Sequence, residues 1–156
     1  GMNSMQADKH HWYPDPLQTK AYKVGKVEDS LGEIDVSYKL CGGGWKSTNR
    51  DLANYAKGIL TSTTTITNED RDLMWQNYAI KNPDGTDRTY GLGWRSPTSN
   101  PRHSGKHPGA LNRLKLYKDE KNAIVIMSNT SEQNENSEGA DFIIILRDQL
   151  KEEFLD

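Results

Sequence analysis

The pattern that most constrains the fold is a pair of hydrophobic stretches separated by four polar residues. In residues 114–118 apolar and polar side chains alternate, which predicts a strand whose face with Lys115 and Tyr117 lies in water. Residues 123–127 are apolar on both faces, so this second strand must be covered on both sides. Between them stand Asp119-Glu120-Lys121-Asn122, charged residues that end in a type tolerant of left-handed backbone. A tight antiparallel hairpin is therefore predicted.

A polar tripeptide, His103-Ser104-Gly105, comes shortly before this hairpin, and Pro108-Gly109 separates the two. Because Pro followed by Gly favours a turn, the tripeptide is predicted to lie on a strand that folds back along residues 114–118. Its polar groups would then lie at an edge of the sheet.

Two hydroxyl residues, each followed three positions later by a carboxylate, predict the starts of helices. Thr48 with Asp51 resembles a capping box, and apolar residues at helical spacing extend the helix over residues 49–60. Thr67 and the carboxylate three residues on predict a second, short helix. The turn-forming residues 82–85 would end it, since they contain Asn, Pro, Asp and Gly.

The two ends of the chain differ in character. Residues 1–20 are polar and contain two prolines, which predicts an irregular N-terminal arm, and residues 21–156 are predicted to form a single domain. Within that domain, residues 21–38 would form short strands or an extended meander. A last helix starts at Ser137 or a neighbour, and its apolar residues at three- and four-residue steps predict that it lies across one face of the sheet. They are Phe142, Ile143, Leu146, Leu150 and Phe154.

Composition excludes several classes of function. A length of 156 residues suits one domain, and a net charge of −2 argues against a surface for nucleic acid or anionic membrane. No apolar run approaches the roughly 20 residues of a membrane span. The sequence shows no signal peptide, and its single Cys41 permits no internal disulfide, so localisation stays open.

Cofactor binding is not predicted. The glycines before Lys46 resemble a phosphate loop, but Trp45 occupies the place where that loop needs Gly directly before Lys. His10 and His11 lie in a region with too few further ligands for a metal.

Three stretches, in order, resemble the serine β-lactamase and penicillin-binding protein superfamily, especially its class C-like and esterase-like members. His103-Ser104-Gly105 is similar to its third box, which reads Lys-Thr-Gly or His-x-Gly. Residues 42–53 are similar to its Gly-Gly-x-x-Ser-Thr-x-x-Asp-Leu-Ala helix start, and residues 90–94, Tyr-Gly-Leu-Gly-Trp, to one of its strands. The resemblance covers about residues 42–130. It implies an α+β fold in which helices flank an antiparallel sheet, the C-terminal part of the β-lactamase and transpeptidase-like fold.

The resemblance also implies acyl transfer through a serine in Ser-x-x-Lys, with β-lactam, peptidoglycan-peptide or ester substrates. No serine of this chain has Lys three residues later. Ser47 comes nearest, but Arg50 follows it, and a guanidinium does not release its proton near neutral pH. The family's second box is absent in its Tyr-x-Asn form. Ser47-Thr48-Asn49 fits the alternative Ser-x-Asn form, but it falls within the helix start already matched, so helix capping is the favoured role.

Of the family's catalytic motifs, only the third box has a match in this chain. Carried onto this chain, His103 contributes positive charge or a hydrogen bond, and the Ser104 hydroxyl contacts a substrate carboxylate. Gly105 and the backbone N–H of Lys106 complete the oxyanion hole, which acts only when a nucleophile reaches the same point. The competing interpretations are a surface pair of histidines, His103 and His107, and a dyad of Ser104 with His107. A zinc site at the two histidines is disfavoured because Gly105 interrupts any helix there.

Two classes of function therefore stay open. The chain is either a fragment of a hydrolase, whose small-molecule or peptidoglycan-like substrate binds only the full-length parent, or a non-catalytic binding module. Gly1-Met2 fits a residue left by tag removal before a start Met, and equally the Gly-Met that the family often carries within its chain. In the superfamily the strand equivalent to residues 123–127 lies beside N-terminal strands. Either residues 21–38 cover that edge here or two chains meet there, and a homo-oligomer is the expectation.

Overall fold

A computed structural model of the chain describes residues 2–8, 16, 18–23, 26–32, 34–63, 65–119, 121–130 and 138–154. Within these ranges the chain folds as an α+β protein, in agreement with the sequence prediction. None of its described helices is long and apolar enough to cross a membrane. The strands are β1 (Gln6–Ala7), β2 (Tyr22–Lys23), β3 (Lys26–Ser30), β4 (Trp45–Lys46), β5 (Ile80–Lys81), β6 (Asp87–Arg88), β7 (Arg102–His107), β8 (Ala110–Tyr117) and β9 (Asn122–Ser128). The α-helices are α1 (Asn49–Thr61), α2 (Asn68–Met74) and α3 (Glu138–Phe154).

The centre of the fold is an antiparallel sheet of three strands in the order β7-β8-β9. Both predicted hairpins are present: β7 pairs with β8 from Arg102 opposite Lys115 to His107 opposite Ala110, and β8 pairs with β9 as far as Tyr117 opposite Asn122. The left-handed residue of the second turn is Lys121, with φ of 55°, and not Asn122, which already opens β9.

One face of this sheet packs against α1. Leu114 and Leu116 of β8 lie in a buried cluster with Ala56 and Ile59 of the helix, and Trp94 joins them. The helix spans the predicted residues and one more, and its apolar side faces the sheet as the 3.6-residue spacing requires.

The opposite face is covered by α3, which corrects one prediction. Tyr117, expected in water, has only 1% of its surface exposed. It belongs to a second buried cluster with Ile124 and Ile126 of β9, and Leu146 and Leu150 of α3 pack against that cluster. The last helix thus lies across one face of the sheet as predicted, while Ser137 lies outside the described residues.

The two helix starts are capped, but in different ways. At α1 the Thr48 hydroxyl accepts from the Asp51 N–H at 3.2 Å, as predicted. The Asp51 carboxylate does not close the capping box; it is buried and accepts from the backbone N–H of Ser4 at 2.6 Å. At α2 the box is complete, with Thr67 and Asp70 bonding to each other's backbone N–H.

The end of one predicted helix and one predicted strand are wrong. Helix α2 ends at Met74, well before the turn at residues 82–85, which instead joins β5 to β6. The expected strand at residues 90–94 is a tight loop, because Gly93 has φ of 78° and the Gly91 N–H turns back to the Trp94 carbonyl at 2.7 Å. Gly91 packs directly on the Met74 carbonyl oxygen, where a Cβ would collide, so close backbone approach is the reason for this glycine.

The segments before α1 form short pairs. Strand β1 pairs with β4, and β2 pairs with β3 in the region where short strands were predicted. The Tyr22 N–H donates to the Asn129 carbonyl at 2.9 Å, so this region touches the end of β9. His10 and His11 lie outside the described residues.

Candidate active site

Strand β7 carries the third-box residues along an open edge of the sheet. On its far side from β8, Arg95 and Arg102 exchange backbone hydrogen bonds of 2.8 and 3.0 Å. Since residues along an antiparallel strand point their backbone groups alternately to one edge and the other, Ser104 and Lys106 direct theirs the same way as Arg102. No backbone group in the described part of the chain bonds to the outward N–H of Ser104 or Lys106. The edge can therefore accept an extended ligand or present an N–H to an anionic oxygen.

His103 forms a pair with Tyr90 beside this edge. The Tyr90 hydroxyl lies 2.8 Å from His103 Nε2, and the two rings meet edge to face with centroids 6.2 Å apart. The guanidinium of Arg88 lies 4.8 Å from the centroid of the Tyr90 ring. The His103 side chain is thus positioned by a hydrogen bond from the first residue of the loop at residues 90–94.

The electrostatic surroundings favour a neutral His103. Burial is the largest cause that lowers its pKa below the ordinary value, and the positive charge of Arg95 is the next. The Ser104 backbone acts in the opposite direction by a hydrogen bond, and Arg88 adds a further lowering. A neutral imidazole with its proton on Nδ1 leaves Nε2 as an acceptor, so the Tyr90 hydroxyl then donates to it.

The structure separates Ser104 from the histidines. Ser104 lies opposite Arg113 in the register and shares a sheet face with it, whereas His103 and His107 lie on the other face. His107 Nδ1 donates to the Pro108 carbonyl at 2.7 Å. A Ser104–His107 dyad is therefore ruled out. The two histidines share a face, but no metal-binding group of three His, Cys, Asp or Glu occurs among the residues described.

Sequence reasoning missed Tyr90, Arg88 and Arg95 as neighbours of His103. Tyr90 and His103 are 13 residues apart and meet only because the loop between them folds back on β7. The only feature of the sequence that drew attention to Tyr90 was the resemblance of residues 90–94 to a strand of the family. Ser47, the serine nearest to the family pattern, has a buried hydroxyl with no hydrogen-bond partner within the described ranges.

An antiparallel sheet between helices, with a His-x-Gly strand at its edge, defines the class: the serine β-lactamase and penicillin-binding protein superfamily. The chain belongs to the β-lactamase family, because the family model described as Beta-lactamase matches residues 3–149.

Solved structures agree with this fold. The chain is similar to a D-amino acid amidase from Ochrobactrum anthropi SV3, solved with L-phenylalanine amide, with a TM-score of 0.67 and 16% identity over 96% of this chain. It is also similar to an octameric penicillin-binding protein homologue from Pyrococcus abyssi, with a TM-score of 0.62 and 21% identity over 95% of this chain. The chain spans only 48% and 35% of the lengths of these two proteins. No curated protein matches the sequence significantly.

Proposed function

We propose that this chain is the C-terminal portion of a serine hydrolase acting on β-lactam, peptidoglycan-peptide or ester substrates, and that it is inactive alone. The observation that carries the proposal is the open edge of β7, where the outward N–H of Lys106 lies on the strand that holds His103. Preorganised backbone donors of this kind stabilise the oxyanion of acyl transfer. Gly105 supports the same role, since it places no side chain between the edge and a ligand.

The nucleophile is the missing part. Acyl transfer in this family needs a serine whose proton a nearby lysine amine can take, and no serine of this chain has Lys at the required spacing. The third-box residues His103, Ser104 and Gly105, with Lys106 directly after them, then bind or polarise a substrate carbonyl only when the rest of the site is supplied.

The first prediction is that the chain forms no acyl-enzyme. After incubation with excess benzylpenicillin, intact-protein mass spectrometry should show no stoichiometric adduct, and a chromogenic cephalosporin should not be hydrolysed above the buffer rate. A serine β-lactamase in the same buffer is the positive control. A stoichiometric adduct that maps to any serine of this chain would contradict the claim of inactivity.

A second reading is a non-catalytic binding module that keeps the fold. The same open edge supports it, because a strand edge without a partner binds extended peptides by strand addition. The DNA upstream of the coding region separates the two proposals. An in-frame Ser-x-x-Lys ahead of Gly1 supports the hydrolase fragment, and a start codon at Met2 with no upstream reading frame supports the module.

The other edge of the sheet supports a proposal on assembly. The Tyr22 N–H bonds to the Asn129 carbonyl, so by alternation Ala123, Val125 and Met127 also direct their backbone groups away from β8. Within the residues described, no backbone group bonds to these three. Such an edge is a template for pairing with another strand, and we propose that two copies of the chain associate through β9.

A further inference from the structure

A row of three cations crosses the face of the sheet that α3 covers. Arg95 is bridged to Arg102, and Arg102 lies directly opposite Lys115 in the β7–β8 register. Residues opposite each other on neighbouring antiparallel strands share a face, with Cβ atoms about 5 Å apart. The three residues therefore occupy adjacent positions on this face, and the Lys115 ammonium lies 4.6 Å from the centroid of the Tyr117 ring. They do so in a chain whose net charge is −2.

Two further arginines border the row. Arg113 lies two residues from Lys115 on the same face of β8, and Arg147 reaches it from α3. Burial chiefly lowers the pKa of Arg113, and the charges of Arg95 and Arg147 lower it further. The pKa of Lys115 is lowered in the same way, first by burial and then by Arg147, with Arg102 and Lys151 contributing less. These cations are close enough to repel one another.

The described residues offer little negative charge to offset this repulsion. Asp148 is the acidic group that acts on Lys115, but its carboxylate already accepts two hydrogen bonds of 2.7 Å from Arg147. In the described part of the chain no carboxylate pairs with Arg95 or Arg102, and both side chains are exposed. Like charges directly opposite each other on a sheet are destabilising, so a bound anion would reduce the repulsion among the three cations.

We propose that Arg95, Arg102 and Lys115 form a binding site for a phosphate group. Two guanidinium groups offer forked N–H donors that match tetrahedral oxyanions, and the lysine ammonium adds a point charge. Arg102 and Lys115 lie on the opposite sheet face from His103, whereas the charge of Arg95 reaches both faces and also lowers the pKa of His103. Phosphate binding needs no nucleophile, so its measurement does not depend on the proposed hydrolase activity. Its ligand is defined by charge and geometry: a doubly charged oxyanion, with inorganic phosphate as the probe.

The experiment is a titration of the whole chain with inorganic phosphate, with sodium chloride adjusted to hold ionic strength constant. Amide resonances of Arg95, Arg102 and Lys115 should shift and saturate. Arg102→Gln and, separately, Arg95→Gln should each weaken binding at least fivefold. The matched control is Lys57→Gln, which removes one positive charge from an exposed position of α1 and should leave the affinity unchanged. Shifts that do not saturate, or that the control weakens equally, would show general screening and overturn the proposal.

A second variant tests the repulsion itself without any ligand. Arg102→Glu places a carboxylate opposite Lys115 and converts the repulsive cross-strand pair into an attractive one. In phosphate-free buffer its unfolding midpoint should rise by about 2 °C, the shift expected from somewhat under 1 kcal/mol in a domain of this size. The same variant should lose phosphate binding. A lower unfolding midpoint would mean that the positive charge of Arg102 is already balanced in the folded chain and that the three cations do not form a phosphate-binding site.

Discussion

At the scale of single residues, the surroundings of His103 decide whether its imidazole carries a charge or stays a neutral hydrogen-bonding group. A positive charge at this position would have to persist beside Arg95 and Arg88, where partial loss of hydration also disfavours it. Both effects lower the pKa of His103, so at neutral pH the imidazole acts as a hydrogen-bonding group and not as a cation. The Tyr90 hydroxyl, 2.8 Å from Nε2, fixes its orientation.

Replacing Arg95 by Gln is predicted to raise the pKa of His103, because it removes the larger of the two repulsive charges. The measurement is an NMR titration of the His103 ring protons. Lys106→Gln is the matched control. It removes a positive charge from strand β7, but this charge is not among the causes that lower the pKa of His103. An unchanged pKa in Arg95→Gln would show that the charge of Arg95 does not contribute to the neutral state of His103.

The same pKa shift links protonation to stability. The folded state holds His103 neutral, while the unfolded chain takes up a proton below about pH 6.5. Because the unfolded state binds more protons in the window just below that pH, stability should fall as the pH falls through it. The fall should be shallower in Arg95→Gln, whose folded pKa lies closer to the ordinary value.

Only part of this arrangement could be predicted from the sequence. The third box is a contiguous tripeptide, so its place on a strand edge follows from Pro108-Gly109 and the hairpin pattern. Arg88, Tyr90 and Arg95 come from loops whose path depends on contacts with Met74 and β7, and no local pattern specifies those contacts. Ser104 and His107 are close in sequence, but strand alternation places them on opposite faces.

At the scale of elements, the turn between β7 and β8 joins the sheet to the N-terminal segments. Gly109 has φ of 75°, which disfavours a side chain, and it also packs against Ala21, where an added Cβ would collide. The Leu31 Cδ1 atom is a second close neighbour, 3.1 Å from the position of that Cβ. The glycine is thus required twice, once for backbone conformation and once for packing.

Gly109→Ala should therefore destabilise the chain more than Gly85→Ala does. Gly85 has a similar φ of 83° but nothing within 4 Å of an added Cβ, so it reports the backbone cost alone, about 1 kcal/mol. Chemical denaturation of both variants gives the difference, which should be at least about 1 kcal/mol, in the range of overpacking. Equal losses would mean that the Ala21 segment moves aside freely.

Helix starts were predictable because their chemistry is local. Thr48 and Thr67 each accept from an N–H three residues on, whatever the tertiary structure. The end of α2 and the loop at residues 90–94 were not predictable in the same way. Met74 ends the helix where its carbonyl meets the Leu92 N–H at 3.0 Å, a contact that exists only in the folded chain.

At the scale of the whole molecule, the sheet is covered on both faces, and in the part of the chain that is described both edges are open apart from the pairing of Arg102 with Arg95 and of Asn129 with Tyr22. Helices α1 and α3 pack on opposite sides, which explains how residues 123–127 can be apolar on both faces. The apolar pattern thus predicted the layers correctly. The apolar pattern could not predict which strand bonds to each outer edge of the sheet, because backbone hydrogen bonds form with almost any side-chain type.

Pairing through β9 should make the chain self-associate as its concentration rises. Sedimentation velocity from about 1 to 100 μM should show a shift from monomer to dimer. Ala123→Pro should abolish that shift without unfolding the chain, because the Ala123 N–H points outward and forms no hydrogen bond within the described residues. Circular dichroism checks that the variant stays folded. A wild-type chain that remains monomeric and folded at 100 μM would mean that β9 is protected within one chain. A dimer that survives in a folded Ala123→Pro variant would place the interface elsewhere.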